Sequence, residues 1–326
     1  MAKVLITGGA GFIGSHLSEL LLSQGHHVAI IDNLSTGRFA NIEGLVKHPR
    51  FHFAIEDIRQ FNILDRMMSE CDVVIHLAAV VGVEKIIREP INTIEINIGG
   101  TEMVLQAARR YRKRTLIAST SEVYGKGVSF PFREDDDSLL GPTSKSRWSY
   151  AASKAIDEFL ALAYHQEAQL PVTIFRLFNT VGPRQQGQYG MVLPRFVQWA
   201  IRHEPIQVYG DGQQSRCFCN VSDVVQAIVG LMDCPDSIGQ VVNVGSDEEI
   251  TMLDLAERVR ERADSASEIR LVPYEEAYAV PGFEDFRRRV PSIERIRGLT
   301  GWQPSTPLNT TIDQIIAYYR EVQKHG

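Results

Sequence analysis

The chain is expected to fold as an α/β protein: a doubly wound parallel sheet carrying a smaller mixed α/β lobe. Three observations lead there. Short, continuously apolar runs alternate with helix-period segments through the first half of the 326 residues, as strands covered on both faces by helices do. The first run ends in Thr7-Gly8-Gly9-Ala10-Gly11-Phe12-Ile13-Gly14, a glycine turn opening onto a helix. After Phe178 the alternation gives way to polar loops, Pro183 and shorter elements.

The elements follow in order. Lys3 to Thr7 reads as the first strand, and Phe12, Ile13, Leu17, Leu20 and Leu21 recur at helical spacing until Gly25 closes that helix. Val28 to Asp32, Phe51 to Ile55 and Val73 to His76 read as the next three strands. Thr93 to Arg110 reads as a long helix, Leu116 to Ser119 as part of a fifth strand, Ser149 to Glu167 as a helix and Val172 to Leu177 as a sixth strand. Residues 1–178 are expected to form the first lobe and 179–326 the second, interleaved with it because no linker separates them. The second lobe should hold helices over Leu193 to Arg202, Val221 to Met232, Met252 to Arg262 and a last one ending near Lys324, with strands near Val208, Val241 and Leu271.

Composition narrows the function. With 44% hydrophobic and 23% charged residues the chain can bury a core and is not disordered. The net charge of −6 and the lack of a basic run exclude nucleic acid as an expected partner. No apolar run suits a membrane span, and Met1-Ala2-Lys3-Val4 leads straight into a strand, so a cytoplasmic protein without a signal peptide is expected. Cys71, Cys217, Cys219 and Cys234 form no CxxC pair, so thiols and no metal are expected. Cys217 and Cys219 would share one face of a strand, and Glu134 to Asp137 reads as a solvated acidic loop.

Gly9, Gly11 and Gly14 satisfy GxGxxG. Glycines there let a pyrophosphate approach the N–H groups at a helix start, so Gly8, Gly11, Phe12, Ile13 and Gly14 are candidate dinucleotide contacts. Asp32 ends the second strand, where a carboxylate accepts the ribose hydroxyls and repels a 2′-phosphate. NAD is therefore the expected cofactor, with Asn33 beside that carboxylate. Asp57-Ile58 follows the third strand, within reach of an adenine amino group, and Leu77-Ala78-Ala79 follows the fourth, small enough for a cofactor to lie close. His76 reads as structural.

Tyr150 and Lys154 are four apart on a helix and so share a face. An ammonium there would lower the phenol's pKa and make it an acid or base for hydride chemistry. Together with Asp32 to Gly37, Asn97 to Thr101, Thr120-Ser121-Glu122-Val123-Tyr124-Gly125 and Phe178-Asn179-Thr180, this pair resembles the extended short-chain dehydrogenase/reductase family, specifically its nucleotide-sugar epimerases, dehydratases and decarboxylases. The resemblance covers nearly the whole chain. It implies a Rossmann-type first lobe binding NAD and a nucleotide sugar, a UDP-sugar favoured, held between the lobes. It implies Tyr150 as acid/base, Lys154 as its partner and ribose ligand, Thr120 at the sugar O4, and Ser121, Asn179 and Arg216 near the sugar or diphosphate. A nucleotide-binding arginine is implied at Arg288 or Arg289. The helices Thr93 to Arg110 and Ser149 to Glu167 resemble the family's dimer interface and imply a homodimer.

Family members begin by oxidising the sugar at C4, and residues beside Thr120 steer the ketone. A 4-epimerase returns hydride to the other face. A dTDP-glucose-type 4,6-dehydratase carries an aspartate where this chain has Ser121, whereas a GDP-mannose dehydratase can carry Thr-Ser-Glu. Decarboxylation suits a uronate, whose C6 carboxylate is β to the new ketone; Glu122, or a water it holds, would manage the proton at C5. Thr-Ser-Glu with Lys145-Ser146-Arg147-Trp148-Ser149-Tyr150 looks like UDP-glucuronate decarboxylases, and Arg184 could face a uronate carboxylate. The stretch Gln185 to Val192 looks as much like 4-epimerases. UDP-glucuronate decarboxylation to UDP-xylose ranks first, UDP-sugar 4-epimerisation second, and dehydration or a non-catalytic NAD-binding sensor behind.

Overall fold

A computed structural model describes residues 1–82, 86, 88–187, 191–277 and 287–325. Gln188 to Gly190, inside the glutamine-rich stretch quoted above, lie outside the described residues. Seven parallel strands form the main sheet in the order β11-β6-β5-β4-β1-β2-β3: β1 is Lys3–Thr7, β2 His27–Ile31, β3 Phe51–Ala54, β4 Val73–His76, β5 Arg114–Thr120, β6 Val172–Leu177 and β11 Val241–Val244. The chain runs outward from β1 to β3, then restarts at β4 on the other side of β1. At such a reversal the loops after neighbouring strands diverge and leave a crevice at the carboxyl ends. The glycine turn after β1, Asp32 after β2 and Leu77 after β4 all sit there.

Apolar side chains fill both faces. On one, Val4, Ile6, Leu17 and Leu21 are enclosed with Val224 and Ile228 of the helix Val221–Asp233. On the other, Leu5, Val74, Leu105 and Ala161 pack together. The chain thus returns twice after residue 179 to complete the main sheet, once with that helix and once with β11, which pairs with β6 from Val241↔Ile174 to Val244↔Leu177. The remainder surrounds its own core of Leu193, Phe196, Leu255, Val259 and Ile312. It carries two small sheets, one of Glu249–Thr251, Ser215–Cys217 and Arg288–Arg289 and one of Ile269–Val272 and Ile206–Tyr209.

Several local expectations change. The helix Phe61–Glu70, which buries Leu64 and Met68, is additional. The predicted Thr93 to Arg110 helix starts at Pro90 and is broken by a π turn at Glu95–Gly99 before resuming at Gly100–Arg110. The cause is tertiary: Asn97 accepts from the Val80 N–H (2.8 Å) and donates to Ser153 Oγ (3.1 Å), and a wide turn aims it there. Cys217 and Cys219 fall in two strands, β9 (Ser215–Cys217) and β10 (Cys219–Asn220), both buried. Glu134 is not solvated: it is buried and accepts from the Asn243 N–H at 2.9 Å.

A buried polar clamp links β6 to β11 through side chains as well as through the sheet. Arg176 on β6 makes paired bonds to Glu158 (2.9 and 2.7 Å), donates to the Glu134 carbonyl (3.0 Å) and lies 4.7 Å over the Tyr124 ring. The Tyr124 hydroxyl donates to Asn243 Oδ1 on β11 at 2.7 Å. No helix among the described residues is long and apolar enough to cross a membrane.

Candidate active site

A crevice of about 450 Å³ opens over the strand reversal, within the size range of small-molecule sites. Its floor is the glycine turn. Gly8 has φ +72, the left-handed region that favours glycine, and a Cβ on Gly14 would stand 2.3 Å from the Gly8 carbonyl oxygen. Only glycine lets the first helix start this close to β1. Phe12 and Ile13 line the same end.

Asp32 is buried at the crevice edge. Its two oxygens accept from the Ala10 N–H (2.9 Å) and the Leu34 N–H (2.8 Å). Burial raises its pKa and these bonds oppose the rise. The Gly11 N–H also bonds this carboxylate; of its roughly four lone-pair sites, capacity remains for a ribose hydroxyl. Asn33, Asp57, Ile58, Leu77, Ala78 and Ala79 also line the crevice. Asp57 is already engaged: Arg59 binds it through both oxygens and Asn33 Nδ2 donates to it at 3.0 Å. The Arg59 hydrogen bond leads in lowering its pKa to about 2. His76 sits behind this wall, between Thr7 Oγ1 (2.7 Å) and Thr101 Oγ1 (3.1 Å), and burial lowers its pKa to about 3. A glycine cradle, a carboxylate with an acceptor site left and a wall of small side chains fit a dinucleotide.

Deeper in, Thr120 ends β5 and Ser121 and Glu122 follow it, and Tyr150 and Lys154 project from the helix Ser149–Ala168. The Thr120 hydroxyl is bonded to the Tyr150 phenol and accepts from the Glu122 N–H at 3.2 Å. The expected electrostatics of the Tyr/Lys pair is corrected. Lys154 Nζ donates to Asp157 Oδ2 at 2.6 Å, both side chains being buried. Tyr150 is pushed up, first by burial and then by the Glu122 charge, with the Thr120 bond opposing.

Glu122 faces a cluster of guanidinium groups. Arg147 Nη1 donates to its Oε2 at 2.5 Å, and Arg289 Nη1 stands 3.7 Å from its Oε1. Burial alone would raise its pKa; the charges of Arg147 and Arg289, the Arg147 bond and the charge of Arg216 hold it below the ordinary carboxylate value. Glu122 therefore keeps its charge at neutral pH and has no proton to give. Arg147, Arg216, Arg289 and Asn179 line this end. The Asn179 amide donates to the Cys217 carbonyl at 2.9 Å.

Two predicted contacts lie elsewhere. Arg184 turns onto the first helix, bonding Glu19 Oε1 (2.6 Å) and Ser15 Oγ (3.2 Å); the carboxylate it faces belongs to this chain. Arg288 is exposed and holds both oxygens of Glu249 at 2.8 Å. Strand alternation is the reason. In β14 (Arg288–Arg289) Arg289 is opposite Arg216 and Arg288 opposite Ser215, so Arg289 and Arg216 share the crevice face. Arg147 was visible in sequence only as part of a motif, because nothing local shows which side chain Glu122 will meet.

The family profile described as GDP-mannose 4,6 dehydratase matches residues 5–315. The chain is 42% identical over 323 residues to a UDP-N-acetyl-alpha-D-glucosaminuronate decarboxylase of Bacillus cytotoxicus, covering 98% of each. It is 35% identical over 323 residues to UDP-glucuronic acid decarboxylase 1 of Danio rerio, covering 99% of this chain and 74% of that protein. Among solved structures, the UDP-glucuronic acid 4-epimerase of Bacillus cereus, in complex with UDP-glucuronic acid and NAD, superposes with a TM-score of 0.89 at 28% identity over 98% of this chain and 99% of that one. The chain therefore belongs to the GDP-mannose 4,6 dehydratase family, within the extended short-chain dehydrogenase/reductase group of nucleotide-sugar enzymes.

Proposed function

We propose that this enzyme oxidises a UDP-hexuronate at C4 and releases its C6 carboxyl group as CO2. The substrate is UDP-glucuronate or its 2-acetamido counterpart, the class on which the two decarboxylase relatives act. One observation carries the reading: three crevice arginines, Arg147, Arg216 and Arg289, act on the single carboxylate of Glu122. Guanidinium groups gathered at the sugar end suit a substrate bearing both a diphosphate and a carboxylate, since guanidinium forks match both groups.

NAD, when bound in the glycine cradle, accepts hydride from C4. The rest is done by the chain's own residues. Tyr150 takes the C4 hydroxyl proton, and Thr120, bonded to the phenol, orients that hydroxyl. The resulting ketone is β to the carboxylate, so loss of CO2 sends the carbon–carbon bond electrons into an enolate at O4. Tyr150, now protonated, and Thr120 donate to that oxyanion. Because Glu122 stays ionised, the proton reaching C5 comes from a water that Glu122 accepts from, and the hydroxide left behind is neutralised by solvent or by the released CO2. Returning hydride to C4 regenerates the alcohol, with Tyr150 giving back its proton.

The test is product mass from a panel of UDP-, dTDP- and GDP-sugars. Loss of one CO2 from a UDP-hexuronate is the expected result. An isomer of unchanged mass would favour the 4-epimerase reading, which the likeness to the Bacillus cereus enzyme supports; loss of water would favour dehydration.

We also infer a homodimer. Ile91, Ile94, Ile156 and Phe159 are exposed apolar side chains on the helices Pro90–Ile94 and Ser149–Ala168, and a second copy would cover them. Phe159→Asp is expected to halve the particle mass in light scattering. A wild-type particle with the mass of one chain would refute the dimer.

A further inference from the structure

The proposed reaction uses Tyr150 but leaves without a role the buried carboxylate that holds its helical neighbour Lys154. Asp157 is one helical turn beyond Lys154 and fully enclosed, and it does not line the crevice. Its Oδ2 accepts from Lys154 Nζ at 2.6 Å. Its Oδ1 is buried with no hydrogen-bond partner among the described residues, and the Thr101 hydroxyl on the helix Gly100–Arg110 faces the carboxyl group. Thr101 Oγ1 is 3.1 Å from His76 Nε2, and His76 Nδ1 is 2.7 Å from Thr7 Oγ1. Thr7 immediately precedes Gly8, and its hydroxyl accepts from the Ala78 N–H at 3.3 Å. A continuous line of buried polar groups thus joins the lysine to the glycine turn.

We propose that Asp157 is the positioning residue for Lys154: its carboxylate holds the ammonium and governs how much of that positive charge reaches the Tyr150 phenol. The inference rests on Tyr150 acting as acid/base.

The physical argument is charge balance in an enclosed space. An ammonium within hydrogen-bonding distance of a carboxylate presents its neighbours with a dipole in place of a full charge, and its field falls off sooner. Among the groups facing Tyr150, Glu122 and Asp157 push the phenol up, whereas Thr120 and Arg289 push it down. Asp157 is faced by Lys154 and Glu158 on its own helix and by Thr101 across the interface. His76, the next group along, is held neutral by burial and by the Lys154 charge. The arrangement therefore has a resting position in which the lysine is spent on Asp157. Moving the ammonium toward a ribose hydroxyl or the phenol exposes its charge where the proton transfer occurs.

The near-ultraviolet absorbance of the Tyr150 phenolate, read as each protein minus its Tyr150→Phe counterpart, tests this without substrate, so failure of the decarboxylase reading leaves the measurement intact. Asp157→Asn is expected to move half-ionisation of Tyr150 down by about one pH unit, the size of one nearby charge, and Asp157→Glu to restore it. Where turnover is measurable, the pH at half-maximal kcat should move by the same amount. Asp157→Ser removes the same charge with a smaller side chain, so it gives a second reading and the phenolate shifts the same way. An unmoved titration in whichever variant folds, with turnover merely scaled down, would overturn the proposal.

Discussion

Tyr150→Phe is expected to reduce kcat by about three orders of magnitude while the Kd for the nucleotide sugar changes only a few-fold. General acid–base catalysis contributes about 10²–10⁴-fold, and here one phenol serves three steps: it removes the C4 hydroxyl proton, donates to the enolate and returns the proton. Phenylalanine keeps the ring that fills the crevice wall and loses only the oxygen bonded to Thr120. The pH dependence carries the sign. The phenol's folded pKa is raised by burial and the Glu122 charge, so the deprotonated base becomes more abundant as pH rises and kcat should climb toward alkaline pH. The same shift costs stability at high pH. Above the ordinary tyrosine value of 10.0 the unfolded chain ionises while the folded phenol resists, so stability falls as pH rises. Tyr150→Phe should lack that alkaline loss, measured as urea midpoints at rising pH. A variant with wild-type kcat would remove Tyr150 from the chemistry.

Glu122→Gln is expected to cut CO2 release about 100-fold and to leave binding of the uronate intact or tightened. The amide keeps the shape and loses the charge that Arg147 and Arg289 share. The two buried guanidinium groups then lose the charge of this acceptor, and breaking a buried ion pair costs about 3 kcal/mol. A substrate carboxylate can restore part of that balance, so KM should not rise with the fall in kcat. The acid limb of stability separates the charge from the shape. Glu122 has a depressed folded pKa relative to its ordinary value of 4.5, so its contribution is complete above that value and lost as pH falls through the folded pKa. Glu122→Gln should lose that acid dependence, read as denaturant midpoints between neutral pH and the acid transition. Unchanged turnover would leave Glu122 as a structural counter-ion.

The crevice was readable where its chemistry is local. The glycine turn, Asp32 at a strand end, and Tyr150 with Lys154 four residues on each depend on spacing within one element or at one junction, and all line the same cavity. What could not be read depended on partners distant in sequence. Arg288 and Arg289 differ by one residue in a basic run, and only pairing with β9 decides which faces the crevice. Arg184 follows a proline turn whose direction is fixed by packing on the first helix, where Glu19 receives it. The helix Phe61–Glu70 is amphipathic and buries only Leu64 and Met68, a weak signal between two strands.

By its residues alone this chain specified a parallel sheet, a glycine turn at the start of a helix and a phenol–ammonium pair, because apolar periodicity, glycine's freedom at positive φ and helical spacing act over a few positions. Only the tertiary structure decided where the charges go: Lys154 to Asp157, and Glu122 between Arg147 and Arg289. Electrostatic partnership depends on distance in space and on exclusion of water, and neither exists until β5, β14 and the Tyr150 helix are packed together.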